Sequence, residues 1–184
     1  LVDPVIKDLV KPHSSGNKRP AYFAASDVTP NNERFVYFSD GALIVKMKLS
    51  ANGLEYVDHL SPNTLSWAYG NSDIRGEMEL IRKSDGGYRL ALPVVSTFFN
   101  PSKALNSIFT IDLDANGDFI GNSQKLIPTF DLVSSDPDNY FVHGLEFTPG
   151  GDYLYVTCHS KTTSGLAPVY YIDFNQTAPA LIAL

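Results

Sequence analysis

The sequence predicts an all-β fold built from a repeated antiparallel sheet, and three observations support this prediction. The 184 residues include 10 Tyr, 11 Phe, 13 Gly and 12 Pro, a composition typical of short strands joined by many turns. Alternating apolar runs bounded by turn residues recur along the chain. Helical spacing of apolar residues fits nowhere for more than about two turns.

One hairpin unit occurs in three copies. In the clearest copy, residues 143–158, the turn at 148–152 joins a short apolar strand to an alternating strand. The copy at 25–40 has the matching turn at 29–33, where Asn replaces Gly. The looser copy at 78–93 turns through Ser-Asp-Gly-Gly. Pro presets φ for a turn and Gly or Asn tolerates positive φ, so these segments favour tight turns.

A second hairpin follows each copy. Its first strands are expected at residues 44–49, 108–113 and 169–174, and its turns at 50–53, 114–117 and 175–177. The first two of these turns contain Ala-Asn-Gly, and Asn-Gly between alternating runs is a strong hairpin signal. The resulting order of four strands, repeated three times, is that of a β-propeller blade.

The sequence therefore predicts an incomplete β-propeller of about three four-stranded antiparallel blades. We expect these blades at residues 21–60, 76–128 and 142–184, after an N-terminal strand fragment and loop at 1–20. Propellers typically close with about four to eight blades. The remaining blades are thus expected in the same polypeptide or in another chain.

The net charge, the hydropathy pattern and the cysteine content argue against nucleic-acid and membrane partners and against an internal disulfide. The net charge of −6 disfavours binding to nucleic acid or to an anionic membrane surface. No apolar stretch reaches the roughly 18 residues that a membrane span requires. Cys158 is the only cysteine, so the chain cannot form an internal disulfide.

The hairpin at 143–157 resembles one found in YVTN/lactonase-like and gluconolactonase-like propellers and in WD40-like repeats. Residues 144–157 and 109–117 also resemble propeller segments of large secreted or surface proteins of Bacteroidetes. This resemblance implies a propeller architecture and a secreted or cell-surface location in a bacterium. It says little about activity.

The segment from Asp112 to Asp118 has the oxygen-ligand spacing of a calcium loop, with Asp114 and Asn116 between them. An EF-hand loop would carry a bidentate Glu at its twelfth position, where this sequence has Ser123. A shorter calcium-binding turn is one interpretation. The other is an ordinary hairpin turn in which Asp and Asn serve backbone geometry.

Five further residues are candidates for contact with a ligand. His143 and Glu146 lie at the entrance to the third blade and could face a central channel, although strand alternation points them to opposite faces. Trp67 and Tyr140 are expected in loops between blades, where aromatic side chains suit carbohydrate or protein contact. Arg75 could bind a polar ligand. Each also has a purely structural interpretation. The histidine could hydrogen-bond a neighbouring loop, the aromatic residues could pack a loop against the core, and the charged residues could form salt bridges.

Two functions follow from these observations. The first is a non-enzymatic scaffold or binding module whose ligand meets the propeller rim or channel. The second is a hydrolase of the lactonase type, completed by blades that this chain does not contain and using or lacking a divalent metal. The sequence has no nucleophile elbow, phosphate-binding loop or metalloprotease motif, so the binding module is favoured.

Overall fold

The computed structural model describes residues 22–39, 44–60, 72–74, 78–96, 106–129, 140–160 and 169–184. The segment predicted at residues 1–20 lies outside them. Within the described ranges there is no α-helix, only a 3-10 turn at Gly121–Ser123. The strands are β1 Tyr22–Ala25, β2 Arg34–Ser39, β3 Ile44–Ser50, β4 Gly53–Leu60, β5 Ser72–Ile74, β6 Glu79–Arg82, β7 Tyr88–Ser96, β8 Asn106–Leu113, β9 Lys125–Pro128, β10 Tyr140–Phe147, β11 Tyr153–Ser160, β12 Val169–Asp173 and β13 Leu181–Ala183.

These strands form three antiparallel sheets of four strand positions each. Blade 1 is β1-β2-β3-β4 and blade 3 is β10-β11-β12-β13. In blade 2, β5 and β6 pair with successive parts of β7, which is followed by β8 and β9. The predicted all-β fold of three four-stranded antiparallel blades is therefore confirmed, with strand order following chain order except that β5 and β6 share one position beside β7.

The first hairpin of each blade turns at a residue with positive φ. These residues are Asn32 at 59°, Gly86 at 90° and Gly151 at 77°. In each case the amide of the positive-φ residue donates to the carbonyl three residues earlier. The turns of blades 1 and 2 close between residues four apart, Thr29 with Glu33 and Lys83 with Gly87. The turn of blade 3 is one residue longer, closing between Thr148 and Tyr153, and has positive φ at both Gly150 and Gly151. Asn serves in blade 1 because its short side chain tolerates the left-handed region.

Strand alternation gives each blade two faces, which we name by direction. The forward face points toward the next blade in chain order, and the backward face points toward the preceding one. In blade 2, Leu90 and Leu92 pack backward onto blade 1, whereas Ala91 and Ile108 pack forward onto blade 3. The central sheet is therefore apolar on both sides, as expected for strands buried on two faces.

The hydrophobic core lies between the blades. One cluster joins Phe35, Tyr37 and Ile44 of blade 1 to the backward face of blade 2. A second joins Ala91, Ile108 and Ile127 of blade 2 to the backward face of blade 3. Burial of apolar surface at these two junctions is what holds the sheets face to face.

The first strands of neighbouring blades lie side by side, because β6 contacts both β1 and β10. We call the side of the molecule formed by these first strands the inner edge. Such proximity of first strands is what blades arranged around an axis produce. Within the described ranges, no helix is long and apolar enough to cross a bilayer.

Candidate functional site

The acidic segment predicted as a calcium loop is the turn between β8 and the chain leading to β9. Asp114 organises this turn: its Oδ1 accepts the amides of Asn116 at 2.8 Å and Asp118 at 2.9 Å. Gly117 follows with φ of 75°. Ser123, at the twelfth position, accepts the amide of Asp112 at 2.8 Å and donates to the carbonyl of Ile120 at 2.7 Å.

Asp112 is held by two cations of its own blade. Arg89 donates from Nε to Oδ1 at 2.7 Å and from a terminal nitrogen to Oδ2 at 3.0 Å, and Lys83 reaches Oδ2 at 3.2 Å. Burial alone would raise the pKa of Asp112, but the hydrogen bonds and charges of these cations outweigh it and lower the pKa below its usual value. The carboxylate is therefore an ionised member of a salt-bridge cluster.

Asn116 and Asp118 face blade 1. Lys46 of that blade donates to Asp118 Oδ1 at 2.6 Å and to the carbonyl of Asn116 at 3.2 Å. Asn31 donates from its side chain to Asn116 Oδ1 at 3.0 Å. All four predicted calcium ligands thus contact protein donors, and two of them, Asn116 and Asp118, join blade 2 to blade 1.

Within the described part of the chain, no group of three or more His, Cys, Asp or Glu side chains is arranged to hold a metal ion. The arrangement of Asp112, Asp114, Asn116 and Asp118 agrees with the hairpin-turn interpretation. The calcium-loop interpretation stays a prediction, tested below by calcium titration.

Lys46 makes the junction between blades 1 and 2 unusual. The residue is 1% exposed, and its Nζ lies 3.8 Å from the centroid of the Phe35 ring. Beside it, the buried hydroxyl of Tyr37 donates to the carbonyl of Gly117 at 2.7 Å. Burial raises the pKa of Tyr37 far above its usual value, with a further contribution from Asp118, so this hydroxyl stays protonated and remains a donor.

Arg89 plays the same part between blades 2 and 3. Its guanidinium lies 4.2 Å from the centroid of the Phe174 ring, and it donates to the carbonyl of Gly151 at 3.1 Å. Lys83 adds a backbone bridge to Gly150. At both junctions a cation therefore donates to a turn of the following blade and lies against an aromatic ring, which belongs to blade 1 at the first junction and to blade 3 at the second.

The candidate ligand residues are dispersed. Trp67 and Arg75 lie outside the described residues. Tyr140 was expected in a loop, and this placement is wrong: it begins β10 and pairs with Ser160. The run Tyr-Phe-Val at 140–142 explains this, because aromatic and β-branched residues favour strands.

His143 lies at an irregularity in β10. The pairing register with β11 shifts between Val142 and Gly144, so His143 is the extra residue of a β-bulge. The alternation that separated His143 from Glu146 is interrupted there. Glu146 is exposed and pairs in register with Tyr155. Bulges commonly re-aim side chains near functional sites, which makes the inner edge of blade 3 the candidate site.

The bridging cations Lys46 and Arg89 were missed from the sequence. Their signal was present, since each is a charged residue at a core-facing position of an alternating apolar strand. In β3, alternation places Lys46 on the same face as the buried Ile44. A charge at such a position must find partners when it is buried.

The fold and these junctions define the chain as an all-β protein of stacked, propeller-like blades. Comparison with known proteins adds no family assignment, because no protein-family model and no curated protein matches the sequence.

Proposed function

We propose that this chain is a non-enzymatic binding scaffold of a secreted or surface-attached bacterial protein. The observation that carries the proposal is the use of its charged side chains. Lys46 of blade 1 pairs with Asp118 of blade 2. Arg89 pairs with Asp112 inside blade 2 and also donates to the carbonyl of Gly151 in blade 3. These groups hold blades together instead of converging on a reactive centre.

The ligand is assigned to the inner edge and adjoining loops of blade 3. Glu146 offers an exposed carboxylate there, and the bulge at His143 breaks the regular sheet. Tyr140 opens the same strand, whereas Trp67 and Arg75 lie outside the described residues. Aromatic rings with nearby polar groups suit a carbohydrate or a protein loop.

Trp67 provides the test, because it is the only tryptophan in the chain. Titration with a panel of oligosaccharides should give a saturable change in its fluorescence for at least one member. Tyr140→Ala and Glu146→Gln should each weaken that binding by roughly tenfold. The matched control, Tyr56→Ala on blade 1, should bind as the wild type does. If all three variants weaken binding equally, the ligand does not bind at blade 3.

The hydrolase of the lactonase type is the second candidate, since β10 carries a histidine at its bulge and an exposed carboxylate at Glu146, and such groups can serve acid–base chemistry. An assay of lactone hydrolysis distinguishes the binding scaffold from the hydrolase. Aliphatic and sugar lactones are the substrates, and acid release is measured with and without added divalent ions. The binding scaffold predicts release at the buffer rate. If the chain hydrolyses a lactone, and if both a chelator and Glu146→Gln abolish that turnover, the hydrolase is the correct proposal and the non-enzymatic scaffold is wrong.

A further inference from the structure

The sequence contains two Asn-Gly pairs, and both lie in turns of a second hairpin. Asn52 and Gly53 lie in the turn from β3 to β4, and Asn116 and Gly117 lie in the turn that follows β8. Asparagine followed by glycine is prone to deamidation, because a residue without a Cβ lets its amide nitrogen approach the asparagine side chain. The structure distinguishes the two pairs.

The two turns are alike in sequence and in backbone. Each reads Ala-Asn-Gly, and the glycine has positive φ, 116° at Gly53 and 75° at Gly117. In each turn the asparagine amide donates to a side-chain oxygen two residues earlier, Ser50 Oγ at 3.2 Å and Asp114 Oδ1 at 2.8 Å. A difference in reactivity between the two asparagines must therefore come from their surroundings.

The turn at 51–53 is open to solvent. Asn52 and Gly53 are both exposed, and a Cβ added at Gly53 would meet nothing within 4 Å. The side-chain amide of Asn52 makes no hydrogen bond to another residue in the described ranges. This side chain can therefore rotate toward the nitrogen of Gly53, and base from the solvent can reach that nitrogen.

The turn at 115–117 is covered by blade 1. Gly117 is buried, and its carbonyl accepts the hydroxyl of Tyr37 at 2.7 Å. Asn31 donates to the side-chain oxygen of Asn116 at 3.0 Å, and Lys46 donates to the backbone carbonyl of Asn116 at 3.2 Å. Closure of a ring between Asn116 and Gly117 requires rotation of both the side chain and the peptide, so it would break these contacts with blade 1.

We propose that Asn52 is a site of spontaneous deamidation, and that the packing of blade 1 on blade 2 protects Asn116 from the same reaction. Base removes the amide proton of Gly53, and the nitrogen attacks the side-chain carbonyl carbon of Asn52. A new N–C bond closes a succinimide ring, the C–N bond of the side-chain amide breaks, and ammonia leaves with a proton from water. Water then opens the ring at either carbonyl, which gives aspartate or isoaspartate.

The two positions differ in what the reaction would damage. Isoaspartate at position 116 would lengthen the main chain by one methylene inside the turn that Lys46 and Tyr37 hold. The same product at Asn52 would place one more carboxylate in an exposed turn that lies outside the hydrophobic clusters. Deamidation is thus directed to the turn whose alteration leaves the junction between the blades intact.

The test is ageing of the full chain at mildly alkaline pH, followed by peptide mapping with mass spectrometry to measure conversion at each asparagine. In the folded chain, Asn52 should convert at least about tenfold faster than Asn116, because Asn116 reacts only from locally opened states. In urea the two rates should agree within about twofold, since unfolding removes the protection. A preference of the same size in urea would overturn the proposal, as would equal rates or an unreactive Asn52 in the folded chain.

Variants of blade 1 show whether the junction provides the protection. Asn31→Ala removes the donor to the side chain of Asn116, and Tyr37→Phe removes the donor to the carbonyl of Gly117. Each should accelerate conversion of Asn116 by roughly two- to tenfold, the range that one lost hydrogen bond supplies, and leave the rate at Asn52 unchanged. Ser50→Ala, in the other turn, should leave the rate at Asn116 unchanged. Circular dichroism confirms folding, and an unchanged rate at Asn116 in both blade 1 variants would contradict protection by the junction.

Discussion

Gly117 offers a direct way to measure how strongly one blade holds the next. It lies in the turn that blade 2 presents to blade 1, and its carbonyl accepts the hydroxyl of Tyr37. A Cβ added at Gly117 would overlap the Tyr37 hydroxyl oxygen and come within 3.3 Å of a Phe35 ring carbon. Gly117→Ala therefore perturbs the junction without removing any side chain.

Two contributions set the magnitude. The φ of 75° at Gly117 disfavours alanine by about 1–2 kcal/mol. Displacing the buried Tyr37 hydroxyl from its acceptor adds about 1–3 kcal/mol, the usual cost of an unsatisfied buried polar group. The free energy of unfolding should therefore fall by roughly 2–5 kcal/mol in total.

Gly86→Ala is the matched control. Gly86 has φ of 90°, and a Cβ there meets nothing within 4 Å, so only the backbone contribution applies. Urea unfolding of both variants gives the difference, which is the contribution of the junction. In a Tyr37→Phe background this difference should shrink, because the hydroxyl is already absent. Equal losses for the two glycine variants would refute the contact between Tyr37 and Gly117.

Three further predictions concern the same cluster and turns. Asp112→Asn should lower the free energy of unfolding by about 1–3 kcal/mol at neutral pH, because Arg89 loses its charged partner. The lowered pKa of Asp112 means that this stability is present above the unfolded pKa of about 3.9 and is lost as the pH falls through the folded pKa. Urea midpoints at neutral and acidic pH should therefore differ less in the variant, and an unchanged pH dependence would contradict the assigned salt bridge. Calcium or a chelator should leave the melting temperature unchanged in the wild type and in Asp114→Asn; a calcium-dependent rise that the variant lacks would restore the calcium loop. At Asn32, substitution by Gly should change stability by only a few tenths of a kcal/mol, whereas Val should cost about 1–2 kcal/mol, and equal thermal melts would exclude the left-handed conformation.

Repetition explains why so much of the architecture could be predicted from the sequence. The turns at 29–33 and 148–152 share Thr-Pro followed by residues that tolerate positive φ. The alternating strands beside them leave few ways to bury both faces. Local signals and tertiary packing agree at these positions, so the order of strands could be derived without coordinates.

The site was harder to predict, because it depends on contacts distant in sequence. The partners of Asp118 and Asn116 lie in blade 1, some 70 residues earlier. A turn rich in Asp and Asn has the same local pattern whether it binds calcium or the next sheet. The bulge at His143 was also invisible, since a single extra residue in a strand leaves no mark on composition.

Blade 2 contributes side chains to both apolar clusters, whereas blades 1 and 3 each contribute to one of them. Blade 3 acquires its buried cluster by packing on blade 2, and blade 1 acquires the larger of its two in the same way, its smaller cluster being Val45 and Met47. Loss of the middle unit would therefore strip stability from both ends at once. A blade exchanged between related proteins should fold stably only if its junction residues match those of its new neighbours. These residues are the bridging cation, the aromatic ring against it and the turn to which the cation donates.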